Sequence, residues 1–105
     1  MKGLSKTTWQ IIQKLFPLEN HEEAGQILVN ECGTNLPFLL FFSKNKYGLE
    51  RIRFAALKMS RGDIDRLRSA VKLAQSDWRD ALMAAGFEVS TKAHREWAEQ
   101  IRKAS

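Results

Sequence analysis

The sequence predicts an α+β fold in a single domain, residues 1–105: N-terminal helices, a β-hairpin or small antiparallel sheet, and a long amphipathic helix with a C-terminal helix packed on it. Three observations lead there. Residues 63–85 place Ile64, Leu67, Val71, Ala74, Trp78, Ala81, Leu82 and Ala85 within about 100° of arc at helical spacing. Residues 51–55 alternate Arg, Ile, Arg, Phe, Ala, the period of a half-buried strand. Residues 36–42 are apolar at nearly every position, as in a strand covered on both faces.

In chain order, residues 7–16 suit a short helix with Trp9, Ile12 and Phe16 on one side, capped by Ser5 or Thr7 and ended by Pro17. Residues 21–32 read as a helix more than as a strand. Asn20 and Glu23 resemble a capping box, Gly33 stands where a left-handed terminal glycine would, and Ala24, Ile27, Leu28 and Cys32 share a side. The strand alternative rests on Ile27-Leu28-Val29, and Gly25 weakens a helix interior. The segment 38–43 and the alternating segment 51–55 would pair as a hairpin across the turn-rich residues 44–48, with Ile52 and Phe54 inward and Arg51 and Arg53 outward.

The stripe from 63 to 85 keeps its register, which predicts one uninterrupted helix with Trp78 largely buried. Ser60 and Asp63 resemble its capping box, and Gly86 closes it. A final helix over 92–103 carries Ala93, Trp97 and Ile101, and Ser90 or Thr91 can cap it.

Composition bounds the function more than any motif does. Hydrophobic residues make up 44% and charged residues 28%, the balance of a globular domain. No apolar run reaches the ~20 residues of a membrane span, no secretory leader pattern is present, and the single cysteine cannot form an internal disulfide. A cytoplasmic setting without membrane association is the expectation. The net charge of +5 is unevenly placed: residues 44–79 hold ten Lys and Arg against four Asp and Glu, while the flanking segments are nearly balanced. A segregated basic region points to an anionic partner; a merely solvated cationic face is the alternative.

Catalytic patterns are weak. Cys32 with His21 or His94 and a carboxylate such as Glu22 could assemble a nucleophile site, but the Asn30-Glu31-Cys32-Gly33 neighbourhood matches no reactive-cysteine signature. The histidines do not form a metal-ligand set with Cys32, and neither metal nor cofactor is expected. Arg61-Gly62-Asp63 matches a short adhesion tripeptide by coincidence of composition. Asp77 and Asp80 read as a solvated helix face. Trp9, Trp78 and Trp97 sit on core stripes and read as packing, not as stacking platforms.

One surface pattern remains. Arg68, Lys72, Gln75 and Arg79 form a row beside the stripe of the long helix, which Arg51 and Arg53 could extend. Arg51, Arg53, Arg68, Lys72 and Arg79 are therefore the candidate anion- or partner-binding residues. The leading expectation is a non-enzymatic binding or regulatory module with a protein partner or a second copy of itself. The second is weak, sequence-independent nucleic-acid binding through the row. A small enzyme using Cys32 is third.

Overall fold

The computed structural model describes residues 3–33, 46–88, 90 and 92–104. Six α-helices and one 3-10 turn account for the regular structure among these residues, and no strand occurs among them. The α+β expectation is thereby corrected to an all-α fold. Residues 36–43, read as a buried strand, lie outside the described residues.

Helix α1 (Lys6–Leu15) starts at Ser5, whose hydroxyl accepts from the Thr8 amide at 3.1 Å and thereby satisfies one of the unpaired first-turn donors. It buries Thr8, Ile11 and Ile12, and Phe16 continues the apolar face. Pro17 ends it, and a 3-10 turn (Leu18–Asn20) leads into α2 (His21–Glu31). Helix α2 buries Ala24, Ile27 and Leu28, with Cys32 just beyond, as the stripe predicts. Two details differ. The Asn20 side chain makes no cap hydrogen bond, and Gly33 is not left-handed. Gly33 fits a tight space, because a Cβ there would lie 3.0 Å from both the Val29 carbonyl oxygen and the Arg53 guanidinium.

The largest correction is α3 (Lys46–Ser60), which replaces the predicted strand over 51–55. Ile52, Arg53, Phe54, Ala55, Ala56 and Leu57 are consecutive and all buried. A helix enclosed on every side shows no single apolar stripe, so its sequence loses the helical period. Helix α3 is the central post, in contact with α1 and with three elements that follow it: α4 (Ile64–Ser76), α5 (Trp78–Ala85) and α6 (Ala93–Lys103). Helix α2 packs on α1 and α4, and α1 packs on α6.

The predicted single helix over 63–85 is two helices. At Asp77 the backbone turns extended (φ −153°, ψ 99°), and its carboxylate accepts from the amides of Arg79 at 3.0 Å and Asp80 at 3.4 Å. Asp77 thus ends α4 and caps α5, while both it and Asp80 stay exposed, as expected. Trp78 opens α5 half-buried, less enclosed than the continuous stripe implied. At the other end Gly86 is left-handed (φ 78°) as expected, and the Phe87 amide reaches back to the Leu82 carbonyl at 2.9 Å. Helix α6 turns Ala98 and His94 into the core, with Trp97 and Ile101 half-buried beside them.

Candidate functional site

Two of the five candidate cations face inward. Arg53 is buried; its Nε donates to Cys32 O at 2.8 Å, Nη1 to Gly3 O at 2.9 Å, and Nη2 makes a longer contact with Leu28 O at 3.4 Å. These acceptors include carbonyls at the C-terminal end of α2, where a cation is electrostatically favoured. Arg51 is half-buried on a different side of α3 and donates to Phe87 O and to Ser90 O, holding the α5–α6 link. The outward orientation predicted for both came from the strand assignment. In a helix, residues two apart lie about 200° from each other, so the two arginines clamp different neighbours.

The remaining three lie outside, but not as one row. Arg68 pairs with Glu23 of α2 at 2.6 Å across two half-exposed side chains. Gln75 donates to Glu31 O at 2.7 Å, again at the α2 terminus. Arg79 lies on α5, beyond the break at Asp77, with its guanidinium 5.3 Å from the Trp78 ring centroid. Lys72 alone of the three is exposed with no partner among the described residues. This flank of α4 mainly attaches α2.

The opposite flank of α4 is uncovered among the described residues. Met59 of α3 and Asp65, Arg66, Ser69, Ala70 and Leu73 of α4 line a groove of about 390 Å³. It continues, through the shared Met59 and Arg66, into a pocket of about 470 Å³ lined also by Lys58, Arg61, Ala84 and Ala85. The floor is apolar, and among the described residues the only charged ones on the pocket are three cations. Lys58 Nζ donates to Ala85 O at 2.7 Å, at the C-terminal end of α5. The Arg61 and Arg66 side chains have no hydrogen bond or ion pair among the described residues.

The turn between α3 and α4 fixes this arrangement. Arg61 is left-handed (φ 52°), and Gly62 follows at φ 81°. A Cβ at Gly62 would stand 2.2 Å from Leu15 O, so only glycine permits the close approach to α1. The Ser60 hydroxyl donates to Leu57 O at 2.6 Å and accepts from the Gly62 amide at 3.2 Å. Asp63, and not Ser60, caps α4 by accepting from the Arg66 amide at 2.9 Å. Gly62 and Asp63 of the Arg61-Gly62-Asp63 tripeptide thus each have a local structural task. Sequence reasoning missed the pocket because Arg61 and Arg66 belong to different elements. The available signal was Leu73, an apolar residue off the core stripe.

The nucleophile candidates do not assemble. Cys32 is buried and its thiol is pushed up to about 12 by desolvation, with the nearby Arg53 charge opposing this. A thiol so placed stays protonated and is a poor nucleophile. His21, the first residue of α2, is half-buried against α1, its Nε2 2.8 Å from Phe16 O and its ring edge-on to Trp9. His94 is buried between Phe54 and Phe87, with centroid distances of 5.8 and 6.3 Å. Neither of its ring nitrogens has a hydrogen-bond partner. Burial, with repulsion from Arg95 and Arg51, pushes it down to about 4, so it is neutral near pH 7. Among the described residues no group of three potential ligands could hold a metal, and no helix is long and apolar enough to cross a membrane.

Comparison of the chain with protein-family models, with curated proteins and with solved structures finds no match.

Proposed function

We propose that the chain is a non-enzymatic protein-binding module that receives a helix of its partner along the α3–α4 groove. The observation that carries this reading is the apolar groove on the flank of α4 that no described residue covers. From Arg66 to Leu73 it runs about 10 Å, two helical turns. That length suits an amphipathic helix laying two or three anchors into a groove. Met59 and Leu73 are half-buried and lie at its floor, so an occupying helix would complete their burial. The opposite flank of α4 is engaged with α2 through Arg68 and Gln75, which leaves this flank as the docking side.

The test is photocrosslinking in the native host from a reactive residue at Ser69, on the groove, and from a control at Gln13, on α1. A discrete product from Ser69 alone is expected. The captured protein, once purified, should bind the purified chain and lose that binding with Leu73→Glu. Equal products from both positions, or binding unaffected by Leu73→Glu, would overturn the reading. Nucleic-acid binding is the competing reading, and it predicts loss on reversing Arg68, Lys72 and Arg79 with no effect of Leu73→Glu.

A further inference from the structure

We infer that the pocket formed by Lys58, Arg61 and Arg66 recognises side-chain carboxylates at one end of the partner helix, so the preferred ligand is an acidic amphipathic helix. This rests on the groove reading and gives it a chemistry and a direction.

The first support is the charge of the lining. Lys58, Arg61 and Arg66 meet at one pocket, and no acid among the described residues lines it. Asp65 borders the apolar groove but not the cationic end. Two guanidiniums without partners among the described residues offer planar forks suited to carboxylates. Lys58 retains donors beyond the one given to Ala85 O.

The second support is that fold stability accounts for Lys58 but not for Arg61 or Arg66. Lys58 near the end of α3 is favoured by the helix dipole. Arg66 lies in the first turn of α4, where the same dipole disfavours a positive charge. Arg61 occupies a left-handed position that glycine would fill without steric cost. An arginine at a glycine position and another at a helix start are locally unfavourable choices, and both border the same pocket. Local strain of this kind marks positions held for a purpose other than folding.

The third support is continuity. The cationic pocket and the apolar groove share Met59 and Arg66, and the pocket itself has Met59, Ala84 and Ala85 as its apolar lining. A phosphate backbone would satisfy the cations but leave the apolar groove unfilled. A helix with apolar anchors and acidic residues at one end fills both.

Two synthetic helical peptides of about three turns serve as probes. They share one apolar face; one carries glutamates at an end, the other glutamines. Anisotropy is measured at low and physiological ionic strength, beside a single-stranded oligonucleotide of matched charge. The glutamate peptide should bind about tenfold tighter than the glutamine peptide, and the advantage should shrink with salt. Arg61→Gly with Arg66→Gln should erase that advantage without lowering the melting temperature, since glycine suits the left-handed position. Arg68→Gln with Lys72→Gln, on the other flank, should leave it intact. The proposal is overturned if the peptides bind equally, if the Arg61/Arg66 variant keeps the preference, or if the oligonucleotide binds tighter than the glutamate peptide. Equal binding of both peptides that Leu73→Glu abolishes would sink the carboxylate assignment and leave the groove standing. Binding of neither peptide would remove both.

Discussion

Replacing Arg53 by methionine tests the central claim about the fold, that α3 is held by cations serving the carbonyls of its neighbours. Methionine keeps an unbranched apolar stem and removes the guanidinium. Leu28 O would retain the Cys32 amide at 3.2 Å, but Cys32 O and Gly3 O would lose the donors they receive at 2.8 and 2.9 Å. Cys32 is buried, so its stranded carbonyl costs about 1–3 kcal/mol, whereas Gly3 is exposed and its carbonyl can take water instead. Against this, the guanidinium would no longer be held out of water, and desolvation is the main cause pushing its pKa down. The net expectation is a loss of about 2 kcal/mol, a fall in Tm of roughly 8 °C for a domain of this size. Arg53→Lys should retain the charge, lose the fork geometry and cost about half as much. Urea denaturation followed by circular dichroism should show a lower midpoint with an unchanged slope. A methionine variant melting within two or three degrees of the parent would mean that these carbonyls are hydrated in the native protein, and the clamp would be refuted.

Three further expectations concern single residues. Gly62→Ala should destabilise by about 3 kcal/mol or more, because the added Cβ would meet Leu15 O at 2.2 Å and the position is left-handed; a change under about 1 kcal/mol would disprove the close approach to α1. His94 has a folded pKa below its unfolded one, so its contribution to stability is complete above about pH 6.5 and is lost as pH falls toward about 4, up to about 3 kcal/mol. His94→Leu removes the two unpartnered nitrogens as well, and its stability measured against pH should be flatter than the parent's over that interval; parallel curves would contradict the assignment. Cys32 should react with a thiol reagent at neutral pH no faster than the protein opens, and prompt labelling of the native protein would show that the residue is not buried.

Three of the helices were legible because their signals are local. Ser5 and Pro17 bound α1, the Ala24, Ile27 and Leu28 spacing marks α2, and the Ala93, Trp97 and Ile101 spacing marks α6. The misreadings have two physical causes. In α3 two arginines alternate with Ile52 and Phe54, which imitates a strand with a wet side, yet Arg53 is buried by its hydrogen bonds to carbonyls. Periodicity sees polarity, and it cannot tell a solvated arginine from one whose donors are satisfied inside. At Asp77 the apolar spacing keeps step across a break, because spacing records phase and not axis direction. The local signal there was the N-cap preference of Asp77, which outweighed continuity. Of the candidate cations, the sequence located the charged α3–α4–α5 region but not the flank of α4 that is left open. That distinction depends on which neighbour covers which side, here α2 through Glu23 and Glu31.

The basic excess between residues 44 and 79 therefore has two physical origins that the charge count merges. Part of it is internal. Several helix ends lack enough local partners for their last carbonyls, and donors from elsewhere in the fold supply them: Arg53 and Gln75 at α2, Lys58 at α5, and Lys14 at Ala104 after α6. Arg51 does the same for the α5–α6 link. In a chain of 105 residues with a small core, such cross-helix capping fixes the positions of helices that burial alone would hold loosely. The rest is external, and there Arg61 and Arg66 stand out because no such capping role accounts for them. The two groups should separate cleanly under charge removal. Neutralising Arg51 or Arg53 should lower stability whatever ligand is present, whereas neutralising Arg61 or Arg66 should alter binding and leave the melting temperature where it is or raise it. A net charge alone could not distinguish these outcomes, since it counts a guanidinium bonded to buried carbonyls and one open to a partner as equal.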